Sequence, residues 1–166
     1  IVTTPYFVPV DALHAALRAA AHRGVAVTLI LPARNDDFAV AAASRSTYAD
    51  LIGAGVRIYE FRAGLLHART VTVDGAVSLI GSANLDVRSL FINMEIMVRV
   101  HDEGFANHMK ALIDRLAEQS IEQTREVLRE RDNWWTRFKS GVAYFLVNSV
   151  DYSLGRRIKF GLIKND

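Results

Sequence analysis

Leu65-Leu66-His67-Ala68-Arg69-Thr70-Val71-Thr72-Val73-Asp74-Gly75, followed by Gly81-Ser82-Ala83-Asn84, is the stretch on which the fold turns. It predicts a strand carrying His67 and Arg69, a two-residue Asp74-Gly75 hairpin turn, and a return strand ending in a small polar cluster. Side chains alternate along a strand, so His67 and Arg69 share a face and Asp74 has the opposite parity. An imidazole beside a fixed cation suits chemistry on a phosphodiester. The imidazole attacks phosphorus or carries the proton, and the cation stabilises oxygen charge as it builds. An isolated H-x-R would equally fit a surface hairpin with one histidine on it. The full string is far more specific.

Upstream of the hairpin, residues 1–8 read as a buried strand closed by Pro9. Asp11 is placed to cap a helix running to Arg23, with Leu13, Ala16, Leu17 and Ala20 on one face and Gly24 as its stop. Residues 25–31 form a second apolar strand. Residues 35–37 offer caps for a helix through Ile52, ended by Gly53 and Gly55. Residues 56–61 are a third strand. Alternating strands and helices with short joints predict an α/β fold, a mixed β-sheet flanked by helices. Downstream, residues 92–100 read as a strand, and Asp102 as the cap of a helix with Phe105, Met109, Leu112, Ile113 and Leu116 on one face. Residues 119–131 read as a charged, solvated helix.

The 166 residues suffice for one domain with a proper core. No apolar run reaches the roughly 18 residues of a membrane span, and no signal peptide is visible. With no cysteine, disulfides and thiolate metal sites are excluded. That fits a reducing compartment. The chain opens on Ile1 inside a strand-like run, which reads as a fragment whose upstream part is missing. The net charge of +2 is uneven. Residues 133–164 hold six basic side chains against Asp151 alone. There Trp135, Phe138, Val142, Phe145 and Leu146 recur at helical spacing, with Arg137, Lys139 and Ser140 between them. Such a C-terminal amphipathic helical tail would lie in a membrane interface, or dock on the domain or on a missing half. A nucleic-acid binder would more often cluster its cations around the site.

The hairpin string resembles the phospholipase D superfamily signature, H-x-K-x4-D followed by G-S-x-N. His67, Asp74, Gly81, Ser82 and Asn84 fall in register, and Arg69 stands in the lysine place. Thr4-Pro5-Tyr6-Phe7-Val8-Pro9, Gly64-Leu65-Leu66-His67-Ala68 and Gly81-Ser82-Ala83-Asn84-Leu85-Asp86-Val87-Arg88-Ser89 narrow the resemblance to the C-terminal half of bacterial cardiolipin synthases, from Ile1 to about Leu116. It implies a phospholipase D-like catalytic half-domain over residues 1–118. The charged helix and basic aromatic tail would occupy residues 119–166.

From that resemblance His67 is the catalytic histidine, acting as nucleophile or as general acid; an imidazole serves either role near neutral pH. Arg69 would contact phosphate. Its planar fork could bind bidentately, or displace the substrate enough to weaken the site. Asn84 would donate its amide to a phosphate oxygen and Ser82 a hydroxyl, although all four residues of 81–84 are also turn formers. Asp74 belongs to the motif with a structural role that the turn itself explains. Glu95, expected on the following strand, resembles a carboxylate that fixes the histidine tautomer. Arg88 reads as part of a structural ion pair. His14, His22, His101 and His108 have no ligand spacing. No metal or cofactor is expected, and cationic side chains would do the charge stabilisation.

The implied reaction is phosphatidyl transfer between two phosphatidylglycerol molecules through a phosphohistidine. It requires a second histidine, from a missing N-terminal half or a second copy across a two-fold axis. The implied location is the bacterial inner membrane, with the site on its cytoplasmic side. Two other readings stand beside it. One is a single-motif homodimeric phosphodiesterase or nuclease, with salt-sensitive nucleic-acid binding. The other is a catalytically weakened membrane-bound partner domain.

Overall fold

The computed structural model of the chain describes residues 1–131 and residue 142. Three parallel strands, β1 (Val2–Thr3), β2 (Thr28–Pro32) and β3 (Arg57–Phe61), are joined by helices. α1 (Asp11–His22) makes the first connection, and α2 (Phe38–Ser46) with α3 (Tyr48–Gly53) makes the second. On the other side of β1 lies an antiparallel meander of β4 (Thr70–Val73), β5 (Val77–Gly81) and β6 (Met97–His101), with the short α4 (Val87–Phe91) before β6. α5 (Glu103–Glu118) then crosses one face, and β7 (Ser120–Gln123) pairs antiparallel with β3 before α6 (Arg125–Arg131). The sheet order is β6-β5-β4-β1-β2-β3-β7. The expected mixed α/β sheet flanked by helices is the observed architecture.

Strand alternation builds two cores. Leu29, Leu31 and Ile58 point to one face, where they meet Phe7, Tyr48, Leu51 and Leu128 and the Leu17 side of α1. Ile30 and Phe61 point to the other, against Leu66 and the Ile113 side of α5. The Arg45 guanidinium bonds the buried Glu60 carboxylate at 3.0 Å and the Ala33 carbonyl at 2.8 Å, fastening α2 over the ends of β2 and β3. Asp50 binds His14 and Arg18 and ties α1 to α3.

Several sequence expectations need correction. The first strand is only Val2–Thr3, because the chain turns at Thr4, whose hydroxyl bonds the Tyr6 carbonyl. Asp11 does not cap α1. It is the first helical residue, after the uncapped Val10, where its charge suits the helix dipole. The helix expected through Ile52 is split at Thr47. His67 and Arg69 precede β4 rather than lying within it, and Glu95 sits in the loop before β6. The charged helix expected from residue 119 begins instead as strand β7, paired residue for residue with β3, so the sheet runs past residue 118. Asp37 and Asp102 cap α2 and α5 as expected. The aromatic basic tail lies outside the described residues.

The β4–β5 hairpin pairs Val73 with Val77, so its loop is Asp74-Gly75-Ala76, one residue longer than the two-residue turn expected; Asp74 (φ 52°) and Gly75 (φ 64°) are both left-handed. A different demand falls on Gly81. A Cβ there would run into the Ile96 carbonyl oxygen and lie 2.9 Å from Met97 Cα, so only glycine lets β6 start this close. Gly81→Ala is expected to destabilise the fold by about 1–3 kcal/mol through overpacking. Gly64→Ala, with open space around it, should stay within about 0.5 kcal/mol. Urea unfolding of both variants checks the contrast.

Candidate active site

All the residues singled out at the hairpin except Asp74 gather at one edge of the sheet. This is the edge where the parallel strands β1, β2 and β3 end, where β4 begins, and where β5 gives way to the 81–84 turn. Ligand crevices of open α/β sheets lie at such carboxyl ends. Asp74 is at the opposite end of β4, some 13–16 Å away at the rise of an extended strand. It terminates the hairpin and is remote from the other five.

The turn after β5 is stitched to the segment after β1. Val8 N–H donates to the Leu85 carbonyl at 3.0 Å, and Leu85 N–H to the Tyr6 carbonyl at 3.3 Å. This seats Asn84, which is buried, beneath Arg69. Arg69 Nε donates to Asn84 Oδ1 at 2.8 Å, so the amide oxygen orients the guanidinium and its two terminal nitrogens are left to face an anion. His67 is exposed.

Ser82 Oγ donates to Glu95 and accepts from the Ile96 N–H at 3.0 Å, while Asn93 also donates to Glu95 at 3.3 Å. The loop before β6 is thereby clamped against the 81–84 turn. The Ser82 hydroxyl, foremost, holds the Glu95 carboxyl below the ordinary glutamate range, with the Arg69 charge adding to it. The tautomer-fixing contact from Glu95 to His67 is not among the bonds described. The Glu95 carboxylate is taken by Ser82 and Asn93.

Tyr6, Asn35 and Asp36, to which sequence reasoning assigned no part in the site, stand at the same edge. Tyr6 Oη donates to Asp36 Oδ1 at 2.6 Å. Asn35 Nδ2 donates to the Pro5 carbonyl at 2.9 Å, pinning the loop after β2 to the segment after β1. The Asp36 bond pushes the Tyr6 phenol up, and the Arg69 charge pulls it partly back. The Tyr6 bond holds the Asp36 carboxyl down, and the charge of His67 acts in the same direction. Asp36 is thus a carboxylate at the same sheet edge as His67. Its only sequence signal was membership of a run of helix-capping residues. Among the described residues, no three His, Asp or Glu side chains group to hold a metal ion.

The family model described as "Cardiolipin synthase, PLD-like domain" matches residues 1–117. Cardiolipin synthase A of Shigella dysenteriae serotype 1 is 44% identical over 145 residues, covering 87% of this chain and 30% of that protein. The chain therefore spans under a third of the length of that relative. Among solved structures, Nuc from Salmonella typhimurium, a phospholipase D family member, superposes with a TM-score of 0.65 at 18% identity, covering 74% of this chain and 80% of that one. Phosphatidylserine synthase of Haemophilus influenzae superposes at 0.64 and 14% identity, covering 93% and 40%. At these identities the structural matches establish the fold.

Glu95 and Asp36 give a pH signature. A carboxyl depressed in the folded state adds stability above its unfolded pKa and loses it as pH falls through the folded one. Carbon-detected NMR should therefore find both titrating below the ordinary carboxylate range. Ser82→Ala should raise the Glu95 midpoint and leave Asp36 in place, while Tyr6→Phe should do the reverse. Midpoints unmoved by either substitution would contradict the assigned bonds.

Proposed function

The chain belongs to the family of phospholipase D-like cardiolipin synthase domains, and on that premise we propose that it supplies one of the two phosphodiester-handling motifs of a phosphatidyltransferase. The observation that carries the proposal is the exposed His67 at the sheet edge beside the Arg69–Asn84 pair. A lipid phosphate seated on the free arginine nitrogens would present its phosphorus to the imidazole.

The reaction divides between two imidazoles on opposite sides of phosphorus. A nitrogen of one attacks phosphorus and forms a P–N bond. The bond to the glycerol oxygen of phosphatidylglycerol breaks, and the other imidazole donates its proton to that oxygen. The second imidazole then takes the proton of an incoming lipid hydroxyl. That oxygen displaces histidine from phosphorus and gives cardiolipin. Arg69 stabilises the oxygens as charge builds, and the Asn84 amide N–H groups are free to donate to them. Ser82 and Glu95 act as positioning residues that clamp the 93–96 loop. Asp74 closes the hairpin.

His67 is one of the two imidazoles. The other comes from a half outside this chain or from a second copy across a two-fold axis, in keeping with a chain that covers 30% of its relative's length. The reading sets the site against a membrane surface on the cytoplasmic side. No helix among the described residues is long and apolar enough to cross a membrane. The likeness to Nuc favours a single-motif homodimeric phosphodiesterase or nuclease only at the level of fold.

The test is transfer between labelled phosphatidylglycerol molecules by the intact protein. His67→Ala should lower the rate by roughly 10²–10⁴-fold. Arg69→Ala should fall well below Arg69→Lys, which keeps the charge without the fork. Transfer retained in His67→Ala would leave this chain a non-catalytic partner. Cleavage of nucleic acid with no lipid transfer would favour the phosphodiesterase.

A further inference from the structure

A second cationic feature opens at the same sheet edge, two strands beyond β1. A cavity of about 460 Å³ lies between the carboxyl ends of β2 and β3, lined by Arg34, Arg45, Glu60 and Arg62, among others. Its floor is settled, because Arg45 is bonded to Glu60 and to the Ala33 carbonyl. The Ala33 N–H donates to the Phe61 carbonyl at 2.9 Å and the Arg62 N–H to Gln119 at 3.3 Å, so the backbones carrying Arg34 and Arg62 are anchored. Among the described residues, the exposed guanidiniums of Arg34 and Arg62 have no ion pair or hydrogen bond. Three arginines against one engaged carboxylate leave the cavity positive, and forked guanidiniums match phosphate oxygens.

We infer that this cavity is an anion site for a phosphate group, held chiefly by Arg34 and Arg62. Arg34 lies two residues from Asp36, and Arg62 five residues from His67, so the anion would sit beside the reaction centre rather than in it. By strand spacing the ends of β3 and β4 are roughly 14 Å apart, a gap that long arginine side chains narrow from both sides. Two exposed apolar side chains stand close to the lining residues in the chain: Phe38, 85% exposed, opens α2 four residues after Arg34, and Leu65, 75% exposed, follows Gly64. Phosphate-binding forks with exposed apolar groups a few residues away in the chain fit the head group of an anionic lipid, whose chains would run out over Phe38 and Leu65. On the function proposed above, on which this step rests, that lipid is the second phosphatidylglycerol, whose hydroxyl accepts the phosphatidyl group.

The test reads binding apart from chemistry. Calorimetry on the intact protein carrying His67→Ala would use glycerophosphoglycerol, the deacylated head group, with inorganic phosphate as competitor. Saturable binding is expected, weakened about tenfold for each guanidinium removed in Arg34→Ala and Arg62→Ala. The paired lysine substitutions should restore part of the loss. A head group that outcompetes inorganic phosphate supports a lipid ligand, and equal competition supports the same site filled by free phosphate. Binding unchanged in the double alanine variant would overturn the site. So would vesicle adsorption with no saturable head-group binding. Transfer assays with His67 intact separate the two proposals. No transfer with head-group binding intact would defeat the function alone. An unchanged KM for phosphatidylglycerol in the double variant would defeat the anion site alone.

Discussion

The two-residue strand β1 is the constraint on which the rest of the molecule depends. It pairs parallel with β2 through Val2 and Thr3 and antiparallel with β4 through the same two residues. Everything on one side of it is helix-connected and parallel apart from β7, and everything on the other is an antiparallel meander. Without β1 the sheet would fall into two three-stranded pieces, β2-β3-β7 and β4-β5-β6. The join aligns the ends of β2 and β3 with the start of β4 at one edge. It thereby fixes how far Arg34, Asp36 and Arg62 stand from His67, Arg69 and Asn84. Burial of Val2, Thr3 and Thr4 keeps so short a strand in place.

The edge this creates alternates in charge. Arg69 is held by a neutral amide, so its charge is oriented without being cancelled. The carboxylates nearby are engaged by hydroxyls, Glu95 by Ser82 and Asp36 by Tyr6, so they remain ionised without collapsing onto the arginines. A neutral hydrogen-bond partner fixes geometry and preserves field, whereas an ion pair fixes geometry by spending the field. An anionic substrate needs that difference at its binding edge.

Legibility in the sequence followed the range of the interactions. The hairpin was readable because strand period, an Asp-Gly turn and the return strand are local, and residues 70–73 form β4 as expected. The caps at Asp37 and Asp102 were readable for the same reason. His67, Arg69, Ser82 and Asn84 were singled out by register within a motif, and the structure brings them to one edge. The Glu95 partnership was not, because it depends on how the loop before β6 folds back over Gly81. Tyr6 and Asp36 meet across 30 residues of chain, with no periodic signal in either. β7 resembled a charged helix because Glu122 and the arginines beyond it mask a strand whose stability comes from β3.

The exposure of His67 bears on the competition between water and alcohol. On the function proposed above, a phosphatidyl group carried on an open imidazole would meet solvent at bulk concentration, while a lipid hydroxyl would be confined to a thin layer. The partition between hydrolysis and transfer is then decided by what covers the imidazole more than by its nucleophilicity. This sheet edge provides the charges and leaves the roof open. On the proposed function, a membrane or a second half closing over it would set whether the same chemistry breaks lipids down or builds larger ones.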